Sequence, residues 1–139
     1  MKELSIIQLV LPNNLLVLQR RDENTKISPG LLGFFGGHIE DSEMPLEAMK
    51  RELSEETSID VSSLKLKYVI SKDIAHPNNP KIINKRVHLF KAKIHNDEFD
   101  VYEGQRAESY SAEDLKKRQD LAPTARYIVD NFVGKRKLQ

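Results

Sequence analysis

The chain has no cysteine and no apolar run that approaches the roughly 18 to 20 residues needed to span a bilayer. The first absence excludes disulfides, and the second argues against a membrane-spanning helix. The first ten residues also lack the apolar region and cleavage site of a signal peptide. Together these absences predict a protein of the reducing cytoplasm that has no membrane partner.

No excess of one charge sign is present either. The sequence has 22 Lys and Arg against 21 Asp and Glu, so its net charge is +1. This balance gives no general attraction to nucleic acid, and no nucleic-acid partner is expected. The basic residues Lys135, Arg136 and Lys137 form only a short tail. A length of 139 residues and a hydrophobic fraction of 39% fit a single domain, predicted over residues 1–139.

Three glutamates recur at helical spacing near the middle of the chain. Glu52, Glu55 and Glu56 stand at offsets of three and four residues, which return to nearly the same face of an α-helix. Like charges this close repel one another unless a cation lies between them. Magnesium and manganese prefer oxygen ligands, so the pattern predicts a site for one of these ions. Zinc is disfavoured because the four histidines are not paired at ligand spacing and cysteine is absent.

The residues around these glutamates predict the helix that carries them. Pro45 suits a first turn, and residues 41–43 bring acceptors and negative charge, so the helix is expected to begin near Met44 or Pro45. Arg51 precedes Glu55 by four residues and can orient that carboxylate. A second set, also spaced by three and four residues, is expected to form the core-facing side: Leu46, Met49 and Leu53.

In sequence, this segment resembles the Nudix box, G-x5-E-x7-R-E-U-x-E-E-x-G-U, where U is aliphatic. The matching positions are Gly37, Glu43, Arg51, Glu52, Leu53, Glu55, Glu56 and Ile59. Ser58 is the one departure, since the family has glycine there. A serine forced into the left-handed conformation that ends many helices would cost up to about 1 kcal/mol. Residues 36–40 also match the GGxxE pattern that opens the box, and they are expected to form a glycine turn. Residues 103–105 read EGQ and resemble a loop of MutT-type members.

The resemblance implies an α/β (α+β) fold, a Nudix-like α/β/α sandwich with a mixed β-sheet. It implies Mg²⁺ or Mn²⁺ as the cofactor, with ligands from the Gly36 carbonyl, Glu52, Glu55, Glu56 and Glu103. Catalytic roles are implied for Glu52, Glu103 and Arg51. Either Glu52 or Glu103 would be the base that accepts a proton from the attacking water.

The implied reaction is hydrolysis of a diphosphate linkage in a nucleoside diphosphate derivative or a nucleoside triphosphate, with water attacking phosphorus. The narrower expectation is a MutT-type enzyme that removes oxidised nucleotides such as 8-oxo-dGTP. The alternatives are an ADP-ribose or nucleotide-sugar pyrophosphatase, or a Nudix module that senses a nucleotide without catalysis. Substrate contacts are expected from Arg21, His38 and Gly37. Since family members often dimerise, a homodimer is a further expectation.

Two other segments bear on the substrate. Residues 121–127 read LAPTARY, where MutT-type enzymes carry a purine-contacting asparagine and this chain has Ala125 or Arg126. Residues 76–80 are rich in proline and asparagine and are expected to form a loop near the ligand. His88 is expected to be structural. The remaining predicted elements are a hairpin of residues 4–11 and 15–19, strands at 64–72 and 85–94, and helices from Ser111 and from Pro123 to about Phe132.

Overall fold

Seven strands form one mixed sheet between two layers of helices in the computed structural model, which describes residues 1–133. The strands are β1 (Lys2–Val10), β2 (Leu16–Arg20), β3 (Leu32–Gly33), β4 (Phe35–His38), β5 (Lys67–His76), β6 (Asn79–Lys93) and β7 (Arg106–Tyr110). The helices are α1 (Pro45–Glu56), α2 (Ala112–Lys117) and α3 (Pro123–Phe132), with a short 3₁₀ turn at Val61–Ser63. The predicted α/β/α sandwich with a mixed sheet is confirmed. The basic tail at 135–137 lies outside the described residues.

Strand β1 lies at the centre of the sheet and changes partner along its length. It runs parallel to β6 on one side. On the other side its C-terminal end pairs with β2, whereas residues 4–7 pair with β4. The chain from β3 to β4 therefore passes from β2 to β1, and Phe34 lies at the crossing. This arrangement places the backbone of Gly36 opposite Ile6, at the edge of the helix layer formed by α1.

Two apolar cores lie on the two faces of the sheet. On one face, Met49 and Leu53 of α1 pack with Ile7, Val17 and Phe35. On the other face, Ile128 and Val129 of α3 pack in one core with strand residues that include Ile6, Leu18, Leu32 and Leu89. Because successive strand residues point to opposite faces, the near-continuous apolar runs of β1 and β2 serve both cores.

The first hairpin and the helix starts agree with the predictions. In the turn at 12–14, the Leu11 N–H donates to the Leu15 carbonyl and the Asn14 N–H donates to the Leu11 carbonyl, and Asn14 adopts a positive φ of 68°. Helix α1 begins at Pro45 with Met44 as its N-cap, and Ser111 caps α2 by accepting from the N–H of Asp114. Ends of this kind are predictable because proline, asparagine and serine each act locally.

Three local predictions were wrong. Residues 76–80 do not form a loop near the ligand: β5 extends to His76 and β6 begins at Asn79, so a two-residue turn joins one long hairpin. Gly36 and Gly37 lie in strand β4, not in a turn. Leu46 is 40% exposed, unlike Met49 and Leu53, because it lies in the first turn of α1 before the helix reaches the core.

No helix within residues 1–133 is long and apolar enough to cross a membrane.

Candidate active site

A cleft of about 750 Å³ opens between β4, the C-terminal half of α1 and the loop before β7. Its glutamate side is lined by Gly36, Gly37, His38, Glu52, Glu56 and Glu103. These residues lie up to 67 positions apart in sequence, from Gly36 to Glu103. The fold brings them together because β4 runs beside the last turns of α1.

Glu56 is the most deeply buried acidic side chain at the cleft, at 3% exposure. Its Oε1 accepts the N–H of Gly36 at 2.8 Å, and its Oε2 accepts from the Gln19 amide at 3.3 Å. Both donors are neutral, and no basic side chain within residues 1–133 forms an ion pair with this carboxylate. Burial, together with the charges of Glu52 and Glu103, raises the pKa of Glu56 to about 8.

Glu52 lies one turn earlier in α1 and packs directly against the backbone of β4. A Cβ atom placed on Gly37 would fall 2.6 Å from the Glu52 carboxyl carbon, so only glycine leaves room for this carboxylate. Burial raises the pKa of Glu52, and the nearby Arg51 guanidinium opposes that rise. The glycine at this position of the sequence motif is therefore explained by close approach of a side chain.

Arg51 is the centre of an ion-pair cluster behind the cleft. Its strongest partner is Glu43, which accepts from Nε at 2.7 Å and from Nη2 at 3.0 Å. The same guanidinium donates to Glu52 at 3.0 Å, to Glu55 at 3.3 Å and to the carbonyl of His38 at 3.0 Å. The predicted contact with Glu55 is present, but Arg51 also fixes the helix to β4. Neither Arg51 nor Glu55 lines the cleft, and the Glu55 side chain is 49% exposed.

Gln19 was not recognised from the sequence, yet it connects two of the acidic residues. Its buried amide donates to Glu56 and, at 2.6 Å, to the backbone carbonyl of Glu103. Gly104 follows with a φ of +92°, and a Cβ there would lie 2.8 Å from the Arg20 carbonyl. A polar amide at the end of the apolar run of β2 was the one signal that could have indicated this role.

The loop that carries Glu103 is also tied to the end of α1. Thr57 pairs with Val101 as an isolated bridge, and the N–H of Tyr102 donates to the carbonyl of Glu56 at 2.6 Å. Ser58 donates its N–H to Asp100 at 3.0 Å, and its hydroxyl accepts the Asp100 N–H at 2.7 Å. The expected left-handed strain at Ser58 was wrong, because α1 ends in extended backbone at Thr57 and Ser58 is not among the positive-φ residues of the described chain.

Most of the residues expected to contact the substrate line the cleft, but one of them stabilises the helix layer instead. Arg21 and the exposed His38 line the cleft with Gly37, and the Arg21 Nε donates to the carbonyl of Ile27 at 3.0 Å. Ala125 also lines the cleft. Arg126 instead pairs with Asp130 at 2.6 Å and donates to backbone carbonyls at the end of α2, so it braces the helix layer.

The oxygen donors at the cleft fit a magnesium-type ion. Within residues 1–133, no three acidic or histidine side chains converge closely enough to enclose a metal. Magnesium does not need such a cage, since it usually keeps several waters and binds through one or two carboxylates together with substrate phosphates. The charge of Glu52 adds to the rise in the pKa of Glu56, as a neighbouring carboxylate does when no cation lies between the two.

Solved structures share this fold at low sequence identity. A MutT protein from Methanosarcina mazei has a TM-score of 0.73 at 19% identity, over 93% of this chain and 90% of that one. An E. coli dihydroneopterin triphosphate pyrophosphohydrolase has a TM-score of 0.68 at 18% identity, over 94% of each chain. The NUDIX domain of Shewanella oneidensis NrtR, solved with ADP ribose, has a TM-score of 0.69 at 14% identity, over 92% of this chain and 83% of that one.

A search of curated protein sequences found no match. The model of the NUDIX domain, however, matches residues 1–132. That match covers the glutamate helix, the glycine-containing strand β4 and the loop of Glu103 together. The chain therefore belongs to the Nudix family of hydrolases.

Proposed function

We propose that this Nudix hydrolase is a divalent-metal-dependent pyrophosphohydrolase acting on a diphosphate linkage of a nucleotide or nucleotide derivative. The observation that carries the proposal is the buried carboxylate of Glu56, which faces the cleft and accepts only from the neutral donors Gly36 and Gln19. A buried anion with no positive partner is costly, and a bound cation would relieve that cost.

The ligands in this proposal are the carboxylates of Glu52 and Glu56, with Glu55, Glu103 and the Gly36 carbonyl available beside them. When bound, Mg²⁺ or Mn²⁺ would polarise phosphoryl oxygens and lower the pKa of a coordinated water. Arg51 holds Glu52 and Glu55 in orientation through its guanidinium. It is thus proposed as a positioning residue that acts through the glutamates.

Glu103 is the proposed general base. One oxygen of the Glu52 carboxylate, Oε1, already accepts from Arg51 at 3.0 Å and is therefore not available to a water proton. The Glu103 carboxylate makes no hydrogen bond within residues 1–133, while its backbone is held by Gln19. Its oxygens are therefore free to accept a proton from water in the cleft.

The substrate class follows from the diphosphate chemistry. A MutT-type reaction on nucleoside triphosphates, including oxidised purine nucleotides, is the first candidate. The E. coli neighbour is named for a triphosphate substrate, and the Shewanella domain was solved with ADP ribose, which makes an ADP-ribose or nucleotide-sugar pyrophosphatase the second candidate. Arg21, His38 and Gly37 are the proposed contacts. We further propose that residues 1–139 act as one cytoplasmic domain, with a homodimer as its assembly.

The decisive experiment measures phosphate and nucleotide products over a panel of triphosphates, nucleotide sugars and ADP-ribose with Mg²⁺ or Mn²⁺. Glu56→Gln should lower kcat by at least about 10²-fold, on the scale of losing one preorganised charge contact. Glu113→Gln, which removes an exposed charge from α2, is the matched control and should retain full activity. Equal rates for Glu56→Gln and the parent would refute the metal assignment. Tight nucleotide binding with no turnover of any substrate would support the sensing alternative instead.

A further inference from the structure

Two lysines line the cleft in a part that the metal proposal does not use. Lys85 of β6 and Lys2 of β1 are register partners on neighbouring parallel strands. Lys85 is half-buried, and its Nζ donates to the hydroxyl of Thr124 at 3.1 Å. Lys2 is exposed at the edge of the same cleft. Within residues 1–133, neither ammonium group forms an ion pair with a carboxylate.

The groups around Lys85 in the described part of the chain favour an anionic ligand. Partial burial, reinforced by the charge of Lys2, lowers the pKa of Lys85. A lysine ammonium donates but cannot accept, and the Thr124 hydroxyl that accepts from it keeps its own proton to donate. Thr124 lies in the first turn of α3, whose N-cap residue Ala122 provides no side-chain cap. The positive end of that helix dipole also favours an anion at this position.

The register gives the distance between this positive group and the glutamate side. Lys2, Leu4 and Ile6 follow one another at alternate positions of β1, all three line the cleft, and Ile6 is the partner of Gly36. Four residues of strand span about 13 Å at roughly 3.3 Å per residue. Lys85 is therefore offset from Gly36 by about 13 Å along the strands and by two strand spacings, about 10 Å, across β1. Leu4 and Ile6 give the cleft an apolar wall between the two ends.

We propose that Lys85 is a specificity-determining residue that recognises a second anionic group, a phosphate or a carboxylate, on the part of the substrate remote from the diphosphate. The inference rests on the proposed function, since it takes the diphosphate to lie at the glutamates. It narrows the substrate to a diphosphate whose distal end is itself charged. This recognition favours the second candidate of the proposed function, here a nucleotide derivative with a charged distal end, over a nucleoside triphosphate, which would present only a neutral base to Lys85.

The test uses matched substrate pairs that differ by one anionic group. NADPH and NADH differ by a phosphate, whereas UDP-glucuronate and UDP-glucose differ by a carboxylate, so the two pairs distinguish the two sources of charge. We expect kcat/KM for the charged member of at least one pair to exceed that of its neutral partner by about tenfold. Lys85→Gln should bring this ratio to about one with little loss on the neutral member, and Lys85→Arg should keep the preference.

Lys93→Gln is the control, because it removes the same charge from an exposed position of β6 that does not line the cleft. It should leave every ratio unchanged. A ratio near one for both pairs in the parent would overturn the proposal. So would an equal slowing of both members by Lys85→Gln, which would indicate a merely structural role.

Binding keeps the test independent of turnover. If no pair is hydrolysed, calorimetry on the parent with Mg²⁺ compares the Kd values of the same four compounds. Tighter binding of a charged member that is lost in Lys85→Gln supports the proposal, and equal Kd values overturn it. Failure of the metal-dependent reaction is reported separately by the Glu56→Gln panel, so the two inferences can fail independently.

Discussion

Two groups of acids near the C-terminal end of β2 have opposite electrostatics. Near Arg20, the carboxylates are matched: Arg20 contacts Glu108 at 2.7 Å and Asp120 at 3.0 Å, and Arg118 contacts Asp120 at 2.7 Å. Hydrogen bonds from Arg20 and Arg118, respectively, lower the pKa values of Glu108 and Asp120 to about 2. This network needs nothing from outside the chain.

Gln19, the residue before Arg20, contacts the second group of acids, which contains Glu56. Within residues 1–133 no arginine contacts Glu56, and burial raises its pKa to about 8. The two groups thus differ because Glu108 and Asp120 are paired with guanidinium groups, whereas Glu56 accepts from neutral donors. Burial of an acid alone therefore does not indicate a functional site, whereas burial of an acid at a cleft without a counter-charge does indicate one.

Breaking the matched network should give the largest effect on stability. Arg20→Met leaves Glu108, whose side chain is 13% exposed, without its main partner, and should lower the free energy of unfolding by about 3 kcal/mol. Arg86→Met is the control, since its pair with Asp73 is 38% and 39% exposed and is screened by solvent, so its loss should change the free energy of unfolding far less. Urea denaturation measures both. Equal losses in the two variants would contradict the distinction between buried and exposed pairs.

The two groups should also respond to pH in opposite directions. The folded pKa of Glu56, about 8, lies above the ordinary glutamate value of 4.5, so the folded state binds more protons between these two pH values. Stability of the metal-free protein should therefore fall as pH rises from about 5 to 8, and Glu56→Gln or added Mg²⁺ should reduce that slope. Glu108 and Asp120, with pKa values of about 2, should instead lose their contribution as pH falls from about 4.5 toward 2. Thermal unfolding scans across pH, with and without Mg²⁺, measure the loss of stability at both the acidic and the basic end. An unchanged slope in Glu56→Gln would contradict the raised pKa of Glu56.

Crowding the unmatched group without changing its charge should lower activity more than stability. Gly37→Ala places a methyl group 2.6 Å from the Glu52 carboxyl carbon, and the flexible carboxylate must move away. We expect about a tenfold loss of kcat, equivalent to about 1.4 kcal/mol, with a smaller change in unfolding free energy. Gly33→Ala meets only the Arg21 side chain, at 4.0 Å, and should lose less. Comparable losses of kcat in both variants would argue against a specific role for the space beside Glu52.

The smallest effect is expected at Ser58. Ser58→Gly restores the residue of the family motif but removes the hydroxyl that accepts from Asp100 at 2.7 Å. It should therefore destabilise the protein by about 0.5–1.5 kcal/mol and leave kcat unchanged. Differential scanning calorimetry and steady-state kinetics check this pair of outcomes. A more stable glycine variant would indicate that the left-handed helix end predicted from the motif is the preferred one.

The sequence predicted those parts of the fold that depend on local rules. The start of α1 at Pro45, the turn at Asn14 and the cap at Ser111 follow from single residues whose backbone or side-chain preferences are strong. The glutamate helix followed from spacing alone. The long β5–β6 hairpin did not, because Pro80 and the neighbouring asparagines suggest a loop, whereas pairing across two strands overrides those preferences.

Within the candidate site, the acids were predictable and their partners were not. Arg51 was expected to hold Glu55, but its bidentate contact with Glu43 depends on how the residues before α1 fold back over the helix. Gln19 and Lys85 lie on strands far from the motif in sequence and reach the cleft only through strand register. Such long-range contacts leave no periodic pattern, so a single sequence does not reveal them.

The three links between the end of α1 and residues 100–102 have a practical consequence for redesign of this chain. Because Ser58, Thr57 and Glu56 each hold a successive residue of that loop, Glu103 follows the helix as one unit. Residues can be added to the exposed segment at 95–98 without moving Glu103. One residue inserted at 100–103 would instead change the position of Glu103 relative to α1. A graft that brings a different loop onto this scaffold should therefore join after β6 and keep residues 100–104 intact.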